Sequence, residues 1–244
     1  MILGVIPARG GSKGLAGKHT KLLCGKPMIG YTIEAAKRAK MLDRIVVSTE
    51  DVEIAEASRR FGVEVINRPK ELSTDEANID GALKHAVTAV EKSGLQTKIV
   101  VWLQANVPIR EKGVIDAVVD KLINSDADSV MTVSEVGWPL EKASKIVNGY
   151  VENYWGKSPQ GPRRQDYQDA YISNGAVYAM RRDVLMRNQG PEESYDYFLG
   201  KKILSYILSQ FEQGIEIDYP DEFLLCEMFL QRKAQKRIIL EEVR

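Results

Sequence analysis

The sequence predicts an α/β fold built on a mostly parallel sheet covered by helices on both faces. Short apolar runs rich in Ile and Val alternate with stretches of helical periodicity through the first 136 residues. The first run stops at a proline that opens into a glycine-rich stretch. Such alternation needs helical crossovers between parallel strands, which bury both faces of the sheet.

In order, Met1 to Pro7 reads as a buried strand entering a loop. Ile29 to Ala39 reads as helix, Arg44 to Ser48 as strand, Val52 to Phe61 as helix and Val63 to Val65 as strand. Helix Ile79 to Ser93 brings Leu83, Ala86 and Val90 near one face, and Gly94 closes it. Strand Ile99 to Gln104 follows, then helix Val114 to Ser125 with Val114, Val118 and Leu122 on one stripe, then strand Ser129 to Val136. From Gly137 to Ala170 the pattern dissolves into Trp, Tyr, Pro, Gly and charge, so 137–170 reads as an insertion serving substrate or subunit contact. Tyr171 to Met180 resumes as strand, and helix Glu222 to Lys236 ends the fold. No repeat or linker divides residues 1–244, so one domain is expected.

Composition narrows the partners. Lys plus Arg (34) equal Asp plus Glu (34), which leaves no global field for a nucleic acid or an anionic membrane. Any phosphate binding must be local. Cys24 and Cys226 form neither a CxxC pair nor a disulfide framework, and read as inert core thiols in a reducing compartment. No basic leader with a long apolar run is present and no stretch of about 18 apolar residues occurs. The expectation is a soluble, cytoplasmic protein.

The loop after the first strand, Ile6-Pro7-Ala8-Arg9-Gly10-Gly11-Ser12-Lys13-Gly14, combines backbone N–H groups that can approach phosphate closely with Arg9, Lys13 and Lys18. It is neither a P-loop, since Lys18 is followed by His19, nor a GxGxxG fingerprint. The same composition also fits a structural turn with solvated charges.

The order of its residues says more. Ile6 to Leu15 followed by Gly17-Lys18 resembles the signature of the acylneuraminate cytidylyltransferases, the CMP-sialic acid synthetases, a family that includes pseudaminic and legionaminic acid enzymes and is related to the CMP-Kdo synthetases. Similarity continues through Gly25 to Ile29, Val46 to Asp51, Asn67 to Leu72, Leu103-Gln104, Arg164-Gln165, Ser173 to Tyr178 and Ile217-Asp218. It therefore spans nearly the whole chain and implies a Rossmann-like nucleotide-diphospho-sugar transferase fold with a dimerisation insertion. The implied reaction moves CMP from CTP to a nonulosonic, sialic-type 2-keto sugar acid and releases pyrophosphate.

By that resemblance, Ala8, Arg9, Gly10, Gly11, Ser12, Lys13 and Lys18 bind the triphosphate, with Arg9 and Lys18 catalytic and Lys18 neutralising the α-phosphate. Arg68, Ala77 and Gln104 surround the base, while Gln104, Arg164, Gln165, Asn174 and Tyr178 line the acceptor pocket. An Arg suits a carboxylate through a two-pronged pair. Tyr195, Tyr197 and Phe198 read as an apolar wall for an N-acyl group or as interface packing.

Mg²⁺ is the expected cofactor, because it needs only one or two carboxylates beside phosphate oxygens. Asp218 and Glu216, two apart on a strand, point the same way and serve as its expected ligands. Glu216 stands where the family often has Asp. Acids before an apolar helix also favour its N-terminus, which is the alternative reading of Asp218 and Asp221. Asp126 and Asp128 read as a structural turn.

Two departures keep alternatives open. Ala105-Asn106-Val107 replaces the family's Pro-Thr-Ser, leaving GTP possible beside CTP, and with it a guanylyltransferase acting on another sugar or sugar phosphate. A binding protein that has lost turnover is the third reading. His19 replaces an Asn; against phosphate, it would give a pH dependence near neutrality. His85 reads as structural. The insertion implies a homodimer.

Overall fold

A computed structural model describes residues 1–156, 167–187 and 197–242, with side chains to residue 235. Its centre is a seven-stranded sheet. The strands are β1 (Ile2–Pro7), β4 (Arg44–Thr49), β5 (Glu64–Asn67), β6 (Ile99–Trp102), β7 (Ser129–Glu135), β10 (Tyr171–Arg181) and β11 (Ile203–Ile207), in the order β11-β7-β10-β6-β1-β4-β5. The short pair β2 (Leu22–Leu23) and β3 (Lys26–Pro27) and the hairpin β8 (Ser144–Val147) with β9 (Tyr150–Asn153) form sheets of their own. The helices are α1 (Met28–Arg38), α2 (Val52–Arg60), α3 (Ile79–Glu91), α4 (Val114–Ile123), α5 (Arg182–Met186) and α6 (Pro220–Glu242).

The two-residue period of the strands divides the core between the faces of the sheet. Leu3, Val5, Val46, Val100 and Trp102 pack with Leu83, Ala86 and Val90 of α3. Ile6, Val47, Val101 and Leu103 face the other way, onto Ile29 and Ile33 of α1 and the α4 stripe of Val114, Val118 and Leu122. A third cluster seats α6, through Phe223 and Cys226, against Leu23, Met28, Ile109 and Ile217.

β1 pairs in parallel with β4 and with β6, and β4 with β5. Their carboxyl ends therefore open on one edge of the sheet, where ligands of open α/β folds bind. β10 runs antiparallel to both β6 and β7, and this makes the sheet mixed. Its register shifts between Ser173 and Tyr178. Gly175 lies there at φ +65°, and a Cβ on it would be 2.5 Å from the Gln104 side chain and 2.6 Å from Glu216.

The expected elements form with shifted ends, except that Glu216 to Asp218, expected on a strand, lie outside any strand, so the shared face expected of Glu216 and Asp218 does not follow from strand geometry. The strand expected at Val63 to Val65 starts one residue later and ends two later, at Glu64–Asn67, because Val46 pairs with Glu64 and Thr49 with Asn67. Helix Val114 to Ser125 ends at Ile123, where Asn124 and Ser125 turn back onto the Asp120 and Leu122 carbonyls. β11 and α5 have no counterpart in the sequence reading. β11 is a five-residue edge strand without a fully buried residue, so its hydrophobic signal is weak.

The described part of 137–170 is not shapeless. Asn148 (φ +52°) and Gly149 (φ +83°) form the two-residue turn between β8 and β9, and both positive dihedrals are what such a turn demands. The hairpin stands outside the main sheet with Ile146, Tyr150 and Val151 exposed, and Trp138 before it is 81 % exposed.

Candidate functional site

At the carboxyl edge of the parallel strands lies a cleft of about 540 Å³, walled by the loop after β1, the 68–79 segment, the end of β6 and the Asp218-Tyr219 turn. The loop after β1 leaves the sheet at Pro7, with the Ala8 N–H donating to Ser48 O at 3.0 Å, and runs beneath α2. Gly10 is required there: a Cβ would overlap the Asp51 carboxylate, which caps α2 by accepting the Ile54 N–H at 2.9 Å. Gly14 is required for a second reason, since its Cβ would overlap the Asp218 carbonyl oxygen. Two segments some 200 residues apart in sequence thus meet backbone to backbone.

The cations of the loop are aimed by two carboxylates, Asp218 and Asp75, and a third, Glu50, holds its backbone. Lys18 Nζ donates to Asp218 Oδ1 at 2.6 Å and Asn106 Nδ2 donates to the same oxygen at 3.2 Å. Arg9 Nη1 and Lys13 Nζ meet Asp75 at 2.8 and 2.6 Å, and Arg9 also donates to Thr74 O at 2.9 Å. The Gly10 N–H donates to Glu50 Oε1, and buried Arg68 holds Glu50 Oε2, both at 2.9 Å. Burial alone would raise the Glu50 carboxyl, but the bonds from Arg68, Gly10 and Ser73 outweigh it and leave the group below its ordinary value.

Arg9, Ser12, Lys13, Lys18, Arg68, Ala77, Gln104 and Asp218 all border the cleft, while Ala8 is buried beneath the loop. Arg68 spends its Nε on Ser73 and its Nη2 on Glu50, so it shapes the loop as well as facing the cleft. Glu216 lies beside Gly175 and Gln104, behind Asp218. Burial, and then the Asp218 charge, raise its carboxyl above the ordinary range. Among the described residues no group of three or more His, Cys, Asp or Glu forms a metal cage.

Several expectations are revised. Tyr178 does not line the cleft surface: it is 4 % exposed and stacked on Trp102 at 4.3 Å between centroids, one layer below. Asn174 is likewise buried, where it holds the β10 irregularity by donating to Ser134 Oγ at 2.8 Å and accepting the Ala176 N–H at 3.3 Å. Phe198 packs against Trp102 in the core, and Tyr197 donates to Asp80 Oδ2 at 2.7 Å; neither is an open wall. Arg164, Gln165 and Tyr195 lie outside the described residues.

His19 is buried, and desolvation followed by the Lys18 charge lowers its pKa to about 3, so the pH dependence near neutrality is withdrawn. Cys24 is exposed and is no core thiol, whereas Cys226 is buried and its pKa is pushed up to about 12 by desolvation and Glu222. Glu222, and not Asp221, caps α6: its Oε2 accepts the Asp218 and Tyr219 N–H groups at 2.6 and 2.8 Å. Asp126 pairs with Lys202 and Asp128 accepts the Lys201 and Lys202 N–H groups, in keeping with a structural turn.

Three contributors escaped the sequence reading. Asn106, met only as a lost hydroxyl, orients Asp218 and accepts the Ile217 N–H through its carbonyl at 2.8 Å. Trp102 closes the cleft floor, and its place at the end of a buried strand before Gln104 was the available signal. Arg110 is half-buried: it donates to Gln104 O at 2.6 Å, Ala176 O at 2.8 Å, Thr32 Oγ1 and Val107 O, and desolvation lowers its pKa to about 9. It ties the end of β6 to the β10 bulge, so it holds the backbone that presents Gln104.

Fold and cleft together define a Rossmann-like α/β fold with a cation-lined cleft at the carboxyl edge of its parallel strands. A solved CMP:2-keto-3-deoxy-manno-octonic acid synthetase complexed with CTP superposes with a TM-score of 0.71 at 21% identity, covering 95% of this chain and 99% of that one. The chain also matches the family described as Cytidylyltransferase over residues 3–242, and it belongs to that family. It is 32% identical over 223 residues to an N-acylneuraminate cytidylyltransferase of Streptococcus agalactiae, covering 90% of this chain and 51% of that protein. It is 28% identical to the CMP-N,N'-diacetyllegionaminic acid synthase of Legionella pneumophila, covering 94% of this chain and 96% of that one. The chain spans about half the length of the streptococcal and Escherichia coli N-acylneuraminate relatives it matches.

Proposed function

We propose that the chain transfers CMP from CTP to a nonulosonic, sialic-type 2-keto sugar acid, with release of pyrophosphate. The observation that carries this reading is Lys18, only 13 % exposed, held at the cleft wall by Asp218 while Arg9 and Lys13 stand at the same loop. A sugar hydroxyl would attack the α-phosphorus, the bond to the β-phosphate oxygen would break, and pyrophosphate would leave. Negative charge grows on the leaving oxygens, so positioned cations and backbone N–H groups are the catalytic parts required. Arg9 and Lys18 carry that role, with Ser12, Lys13 and the Gly11 amide completing the cradle, while the Gly10 amide, expected to join them, is already given to Glu50.

The donor set fits Mg²⁺. Two carboxylates close enough for Asp218 to raise Glu216 repel one another, and a divalent ion relieves that repulsion. When bound, it would supply Lewis-acid stabilisation of phosphate charge. Asp218 is the better placed ligand because it borders the cleft; Glu216 supports it from behind.

Ala77 and Gln104 border the part of the cleft left for the base, with Arg68 beneath, and Gln104 also faces the acceptor side with Gly175. The exposed apolar hairpin β8–β9 supports a homodimer built through 137–170. No described helix is long and apolar enough to cross a membrane, and two free cysteines suit a reducing cytoplasm.

The test is pyrophosphate release over four nucleotides against neuraminic, legionaminic, pseudaminic and Kdo-type acids. Release with CTP and one of these acids is expected. Release with GTP but not CTP would move the chain to another nucleotide, and none with any pair would make it a binding protein.

A further inference from the structure

We propose that Asp75 is an internal stand-in for phosphate, which must be displaced when a nucleotide engages Arg9 and Lys13 and which returns as pyrophosphate leaves. The inference rests on the phosphate-loop reading above. Each oxygen of this one carboxylate serves a different loop cation, Oδ1 on Arg9 Nη1 at 2.8 Å and Oδ2 on Lys13 Nζ at 2.6 Å. That is how two neighbouring oxygens of a phosphate would use the same pair. Neither cation can keep these bonds and give the same protons to a ligand.

The other carboxylates at the loop are not exchangeable in this way. Glu50 is anchored from behind by buried Arg68, and it meets the loop through the Gly10 N–H rather than a side chain. Asp218 shares one oxygen with Asn106 and lies on a backbone fixed by Glu222. Asp75, between the short turn at Lys70–Leu72 and α3, has no such anchor among the described contacts, and the cations it meets are open to water, Arg9 36 % and Lys13 80 % exposed against 13 % for Lys18. Exposed ion pairs are weak and screened by salt, so a polyphosphate with several charges outcompetes them, whereas a single small anion gains little. The contact therefore raises the charge that an incoming anion needs. It also pulls the 73–78 segment, which carries Ala77, across the cleft towards the loop.

The experiment is calorimetric titration of the whole chain, wild type and Asp75→Asn, with CTP and with pyrophosphate, each with and without Mg²⁺, at low and at about 0.5 M salt. Asparagine keeps the size and removes the charge. The expected result is binding of both ligands roughly two- to fivefold tighter in Asp75→Asn at low salt, with the gap closing at high salt. In steady state, pyrophosphate would inhibit the variant at lower concentration. Equal or weaker binding in the variant overturns the proposal, and weaker binding only when Mg²⁺ is present would make Asp75 a metal ligand instead. If wild type binds neither ligand, the phosphate-loop reading itself falls; if it binds both and Asp75→Asn is no tighter, only the stand-in falls.

Discussion

The phosphate end of the cleft and the 137–170 arm are built on opposite principles. At the cleft, Lys18, Arg9 and Lys13 each have an acid partner within 2.8 Å, and two glycines are dictated by backbone and carboxylate pressed against them. On the arm, large apolar side chains face outward: Trp138, Ile146, Tyr150 and Val151 are each at least 68 % exposed. One region satisfies its groups within the chain, so its residue types are constrained one by one. The other leaves its apolar side chains uncovered among the described residues, and only its overall character is constrained.

The sharpest way to break this contrast is Lys18→Ala. Loss of one charge-stabilising donor should lower turnover by about a hundredfold or more, while the melting temperature moves little because Asn106 still holds Asp218. If the melting point collapses and turnover of the remaining folded protein is unchanged, Lys18 is structural and the two regions differ less than argued.

His19 sharpens the comparison through stability. Its folded pKa of about 3 lies below the 6.5 of an unfolded histidine, so the unfolded chain takes up the proton first as pH falls. The stability it protects is therefore complete above about pH 6.5 and declines on acidification towards pH 3, with a contribution on the order of 2 kcal/mol by pH 5. Denaturant melts of His19→Asn should lose less stability between pH 7 and pH 5 than wild type does. Parallel pH curves for the two proteins would show that the imidazole titrates normally.

The smallest effect on the folded chain is expected at the arm. Ile146→Asp together with Val151→Asp should change monomer stability by less than about 0.5 kcal/mol and leave CTP binding intact, because both side chains are already in water. Light scattering should nevertheless show conversion of a dimer to a monomer. A double variant that stays dimeric would place the subunit contact elsewhere.

What was legible in the sequence follows the same division. Pro7, Gly10 and Gly14 announce themselves because few residues survive a strand end pressed on another backbone, and the strand–helix rhythm from Met1 to Glu135 is repeated often enough to read. Local patterns fail where the partner is distant. Nothing near Tyr178 says that Trp102 will cover it, and nothing near Asp75 says that it will reach Arg9 and Lys13. Asn106 was judged by what it lacked, since its bond to Asp218 spans 112 positions. The arm hid a readable Asn148-Gly149 turn among its aromatics, and β11 hid because an edge strand has only half a face to bury.

The meeting of Gly14 and Lys18 with Asp218 sets a clock on the molecule's own synthesis. A growing chain can pair β1, β4, β5 and β6 long before residue 218 leaves the ribosome, yet the Lys18 ion pair, with a separation of 200 positions, cannot close until then. The sheet is an early product and the nucleotide cradle a late one. A nascent or prematurely ended chain would thus carry the signature loop without the geometry to use it.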